Sequence, residues 1–150
     1  MDRDHIAKLV ELGASQAGLA KAQQIAAKAL KSAGESWPHN GCAANLCALL
    51  QLSGIDVPMT LGAGKLAHVL GGQINSRHWV HIPVGDQKAG DVGVCFDNNG
   101  GVAGADHIYL VLRRIDSDEM VIADNQDSAP HKRFASGGHK TPTEYFLRAA

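Results

Sequence analysis

From Asp4 to Lys31 the apolar residues Ile6, Leu9, Val10, Leu19, Ile25, Ala29 and Leu30 return at helical spacing, and Gly13 and Gly18 interrupt the stripe. The pattern predicts two helices, or one broken one. Polar and turn-forming residues take over from Ser32 to Gly41, and Asn40 stands where a side-chain cap for the next helix is expected. That helix is predicted from about Cys42 to Ser53, burying Leu46, Leu49 and Leu50 and stopped by Gly54. A further short helix is expected from Met59 to Val69, closed by Gly71-Gly72.

Past Trp79 the period changes from helical to alternating. Val92, Val94 and Phe96 alternate with Gly93 and Cys95 and lead to a turn at Asp97-Asn98-Asn99-Gly100-Gly101. His107 to Arg114 reads as the next strand, with Ile108, Leu110 and Leu112 on one face and His107, Tyr109 and Val111 on the other. A turn signal at Asp116-Ser117-Asp118 precedes Met120 to Asp124, which returns antiparallel. Helices first and strands afterwards predict one α+β domain over 1–150, helical over 1–72 and mainly β over 79–150. The tail from Lys140 to Arg148 reads as a last strand or helix closing the fold.

Charge narrows the partners. A charged fraction of 19% and a formal net charge of −1 supply no broad basic field for nucleic acid or an anionic membrane. The stretch after Met1-Asp2-Arg3-Asp4-His5 is amphipathic and Ala-rich without a continuous apolar run, so neither a secretory signal nor a membrane span is expected. The expectation is a protein made in the cytoplasm that reaches any target outside it through lysis or a secretion apparatus.

Three cysteines, Cys42, Cys47 and Cys95, cannot all pair within one chain. Cys47 and Cys95 alternate with apolar packing positions and read as small core residues. Cys42 differs, because it opens a helix after a polar loop, where the unpaired N–H groups and the positive dipole end favour a thiolate. His107 heads a strand and can take its proton. Asp124 ends the following strand, at the same end of the sheet. If the turn between them centres near Ile115-Asp116, His107 and Asp124 lie directly opposite on one face. Asp124, or its neighbour Asn125, can then hold the far ring nitrogen of His107 and fix its tautomer. Asn40 or His39 can donate to an oxyanion. Trp37 and Trp79 flank the expected cleft in sequence and can stack on a substrate, with core packing as the competing reading.

Two other motifs fail on their own chemistry. Gly62-Ala63-Gly64-Lys65 lacks the first P-loop glycine, replaced by Met59, and the Ser/Thr for magnesium, replaced by Leu66. His78 and His81, with His68 or Cys42, lack the paired spacing of a zinc site, so no metal and no other cofactor is expected.

The order of Cys42 at a helix start, Lys88-Ala89-Gly90-Asp91-Val92 entering a strand, Asp106-His107-Ile108-Tyr109-Leu110-Val111, and Val121-Ile122-Ala123-Asp124-Asn125-Gln126 resembles the CHAP and NlpC-like papain-fold peptidoglycan hydrolases. The resemblance covers about Trp37 to Gln126. It implies a papain-like fold in which Cys42 is the nucleophile, His107 the base and Asp124 the third member, with Trp37, Asn40, Trp79 and Asn125 towards the substrate. It further implies an amide of the wall peptide as the target, as in a phage endolysin or a secreted antibacterial effector. The expected partners are the peptidoglycan peptide and a delivery or immunity protein, with the chain a monomer. A thiol enzyme acting on a protein amide, or a wall-peptide binding module without catalysis, are the alternatives.

Overall fold

The computed structural model describes residues 1–96 and 105–150, so the turn expected at Asp97-Asn98-Asn99-Gly100-Gly101 lies outside the described residues. A single 3-10 turn, Asp2–His5, leads into α1 (Ile6–Ala14) and α2 (Gln16–Ser32). The break falls between the two interrupting glycines, at Ser15. This residue leaves the helical backbone and its hydroxyl accepts from the Gly18 N–H at 3.1 Å. Both helices pack on α3 (Cys42–Ser53), which runs between the bounds that its sequence predicts. Every residue of α3 from Cys42 to Leu50 is buried, as its near-continuous apolar composition requires. Gly54 ends it at φ 101°, in the left-handed region that favours glycine.

Two expectations about helix ends are corrected. Asn40 does not cap α3: it takes φ 56°, and Gly41 occupies the cap position without a side-chain bond. The fourth helix, α4 (Ala63–Gly71), starts later than Met59. Thr60 is held outside it, because its N–H donates to Cys47 Sγ at 3.4 Å and its carbonyl accepts from that thiol at 3.6 Å. No helix among the described residues is long and apolar enough to cross a membrane.

The rest of the described chain is an antiparallel sheet of β1 (Val80–Ile82), β2 (Val92–Phe96), β3 (Ala105–Arg114), β4 (Glu119–Ala123), β5 (His131–Phe134) and β6 (Thr143–Arg148). Their order is β1-β6-β2-β3-β4-β5. The chain is thus α+β, and the tail is a strand. On β3 the two faces divide as the alternation predicts. Ile108, Leu110 and Leu112 join the helices in the main core, while Tyr109 and Val111 pack with Met120, Ile122 and Phe146 on the other side.

The hairpin turns around Ser117, within the expected Asp116-Ser117-Asp118 turn, so the condition for direct opposition of His107 and Asp124, a turn near Ile115-Asp116, is not met. Leu110 pairs with Ala123, with an irregularity between Val111 and Arg113. Carried one residue further, that register sets Asp124 level with Tyr109. Asp124 is therefore a diagonal neighbour of His107, close enough for side chains to meet.

Candidate active site

Cys42 is the first residue of α3, and the first bond of that helix runs from the Asn45 N–H to the Gly41 carbonyl at 2.9 Å. The N–H groups of Cys42, Ala43 and Ala44 therefore point out of the helix without an intrahelical acceptor. The chain enters tightly. A Cβ on Gly41 would stand 2.8 Å from the Trp37 ring and 2.9 Å from the Pro38 carbonyl oxygen, so a side chain there would push the loop away from Cys42.

His107 arrives on β3, and its Nε2 lies 2.9 Å from Asp124 Oδ2. The carboxylate is fully buried, and its Oδ1 accepts from the Gln126 N–H at 2.9 Å. His131 on β5 brings a second ring nitrogen to 3.5 Å from the same Oδ1. Two side chains brace the loop that follows β4. Gln23 of α2 donates to the carbonyls of Asp124 and Asp127 at 3.1 and 2.8 Å, and Asn125 Nδ2 donates to the Pro38 carbonyl at 2.8 Å. The second bond joins the loop bearing Asp124 to the loop before Cys42. It also fixes which residue meets the ring, since Asn125 is turned to Pro38 and Asp124 to His107.

With Nε2 engaged by Asp124, Nδ1 is the ring nitrogen left for the Cys42 thiol, which interacts with His107. Burial pushes the imidazole towards its neutral form, but the bonds and charges of Asp124 and Cys42 outweigh it and raise His107 to about 9. Burial likewise opposes ionisation of Asp124, yet the His107 bond holds its carboxyl below the usual range. A protonated imidazole locked between a carboxylate and a thiol is suited to stabilising a thiolate.

Cys42, His107, Asn40, His39, Asn125 and Gln126 line an open cavity of about 380 Å³. The two tryptophans stand elsewhere. Trp79 is buried, with its indole N–H donating to Asp2 at 2.9 Å, so it forms core and not cleft. Trp37 packs against Ala26, Leu30 and Ala44 and beneath Gly41, shaping the loop without lining the cavity. Cys47 and Cys95 are fully buried, and burial pushes the Cys47 thiol up to about 11. A larger cavity, about 640 Å³, is lined by His68, Gly71, His81, Phe96 and Tyr145 and has no cysteine on its wall. Chemistry, not volume, selects the smaller one. Among the described residues no cluster of three His, Cys, Asp or Glu is arranged to hold a metal.

Sequence reasoning missed Gln23, Gln126 and His131. The last lies on a strand without alternation, Gln23 acts through the distant carbonyls of Asp124 and Asp127, and Gln126 acts through its own N–H on Asp124, a bond that its side chain does not signal. Comparison with protein-family models, curated proteins and solved structures finds no match to this chain. The chemistry of thiol catalysis is therefore argued from the geometry of the site.

Proposed function

We propose that this protein is a cysteine hydrolase that cuts an amide bond in the peptide part of peptidoglycan. One observation carries the reading: the Asp124–His107 pair, at 2.9 Å, meets the thiol at the start of α3 on the wall of an open cavity. A helix-borne thiol facing a sheet-borne histidine is also the papain-like layout implied by the order of its motifs. The wall peptide as substrate comes from that resemblance.

In this mechanism the Cys42 thiolate attacks the amide carbonyl while His107 holds the proton. The negative oxygen is met by the Cys42 N–H, with Asn40 or His39 on the same cavity wall as a second donor. His107 passes its proton to the leaving amine as the C–N bond breaks and a thioester forms. It then takes a proton from water, whose oxygen attacks the thioester and releases the acid and the thiol. Asp124 keeps the ring in place through both steps.

The test is fragment release from isolated peptidoglycan by the purified protein and by its Cys42→Ala and Cys42→Ser forms. Release by the native protein and its loss in both variants is the expected result. Equal release by Cys42→Ala would exclude the mechanism, and no release by any form would exclude the substrate.

A further inference from the structure

His131 on β5 pairs with Ile122 of β4, two positions before Asp124, which brings its ring to the carboxylate from the side opposite His107. Each of its ring nitrogens faces an oxygen that can only accept. Nδ1 stands 3.3 Å from the Ala129 carbonyl, and Nε2 stands 3.5 Å from Asp124 Oδ1. A neutral imidazole has one N–H and one lone pair, so either tautomer turns a lone pair to one of these oxygens, and only the charged ring serves both. Nε2 is buried and makes no hydrogen bond at this distance, whereas the Nδ1 edge is open to solvent. The carboxylate, the stronger acceptor, therefore takes the N–H of the neutral ring, and a proton from water can enter at Nδ1. The charged and titratable groups about this ring are Asp124 from the loop after β4, His107 of β3 on the other oxygen of that carboxylate, and Lys132 and Arg133 beside it on β5.

Asp124 is thus shared by two imidazoles, with His107 at 2.9 Å on Oδ2 and His131 on Oδ1, and its side chain is fully buried. The reaction proposed above changes the charge on one of them. Once the leaving amine has taken the proton of His107, that ring is neutral and the Cys42 thiolate has become a thioester. The carboxylate then lacks a cation on Oδ2, at a depth where an unpaired charge is costly. His131 stands on the remaining oxygen.

We propose that His131 is a positioning residue of the Cys42 site, one that shares Asp124 with His107 and becomes the carboxylate's cation when His107 gives up its proton. The inference rests on the hydrolase reading and adds a residue to it. The proton enters His131 from solvent at Nδ1 and returns there once His107 has taken one from the attacking water, so a full cycle has no net uptake. By linkage the two rings affect each other equally: a neutral His107 raises the proton affinity of His131, and a charged His131 makes His107 easier to discharge. The step that gains is hydrolysis of the thioester, which requires His107 as a neutral base.

Two measurements test it, with the fold of each variant checked by circular dichroism. The first involves no turnover: ring carbons of isotope-labelled histidine are followed by NMR against pH, and the His131 resonance is identified by its loss in His131→Gln. In His107→Gln the amide keeps an N–H for Asp124 but carries no charge, as the neutral ring would, and His131 should titrate about one pH unit higher than in the native protein. The second follows p-nitrophenyl acetate. Nitrophenolate leaves without a proton, so acylation of Cys42 does not ask His107 to give one up, whereas hydrolysis of acetyl-Cys42 does. In His131→Gln the initial burst should stay within about threefold of the native rate, and the steady rate that follows should fall about tenfold. A His131 midpoint unmoved by His107→Gln overturns the proposal, and so does a burst that falls by the same factor as the steady rate, which is what a purely structural histidine would give. The two ideas fail separately. A moved midpoint in a protein that never acylates Cys42 removes the hydrolase and leaves the shared carboxylate, while an unmoved midpoint in a protein that cuts the wall removes only the role of His131.

Discussion

The protonation of His107 is set by opposed effects within a few ångströms, and both leave a measurable trace. Burial disfavours the charged ring, whereas the Asp124 bond and the Cys42 thiol favour it, and the balance is a value of about 9 against an ordinary 6.5. The folded state therefore favours the proton. That contribution to stability is complete below about pH 6.5 and is lost as pH rises through about 9. In the proposed reaction the same proton goes to the leaving amine, so activity should fall on the alkaline side with an apparent pKa of about 9. Asp124→Asn removes the carboxylate that holds the proton, while burial remains. The alkaline limb of the pH–rate profile should move to lower pH, and kcat should drop by on the order of a hundredfold or more. A limb that stayed near 9 in the variant would show that another group holds the ring charged.

At the scale of elements, the β2–β3 pair positions the ring that lies under His107. Gly93 pairs with Tyr109, and a Cβ at Gly93 would stand 2.1 Å from Tyr109 Cζ. The tyrosine cannot yield easily. It is fully buried, its hydroxyl bonds Thr143 at 2.7 Å, and Phe146 meets it edge-on at 6.3 Å. Gly93→Ala should therefore cost about 1–3 kcal/mol in denaturant unfolding and lower activity by displacing the His107 ring. A Gly93→Ala protein as stable as the native one would mean that the ring moves freely. The same elements show what was legible in the sequence. The bounds of α3 and the two faces of β3 follow from local period and a stop glycine, and Cys42, His107 and Asp124 could be named from them. The late start of α4 depends on the contact between Thr60 and Cys47, which no local pattern carries. β5, with His131 and Arg133, is a short run of mostly polar residues at the sheet edge and has no period at all.

Across the whole molecule, the last strand of the chain is not at an edge. β6 lies between β1 and β2, so the sheet that carries His107 is complete only when residues 143–148 have joined it. Arg148 secures that junction. Its Nε and Nη2 bond the two oxygens of Asp91 at 2.9 and 2.8 Å, Nη2 also reaches the Asp86 carbonyl at 3.0 Å, and Asp91 is 1% exposed. Asp91 in turn accepts from the Lys88 N–H at 2.9 Å, which shapes the entry into β2. Removing the arginine alone strands a buried carboxylate, so Arg148→Met should lose about 3 kcal/mol. Pairing it with Asp91→Asn removes the stranded charge and keeps an acceptor for Lys88, so the double variant should be more stable than Arg148→Met alone. This pair sits at the Val92 end of β2, while Cys95, at the other end, pairs with His107. Stability should therefore fall without loss of kcat in the protein that remains folded. Unfolding curves and active-site titration of the same samples check both halves, and a kcat that fell in step with stability would mean that the junction also positions the site.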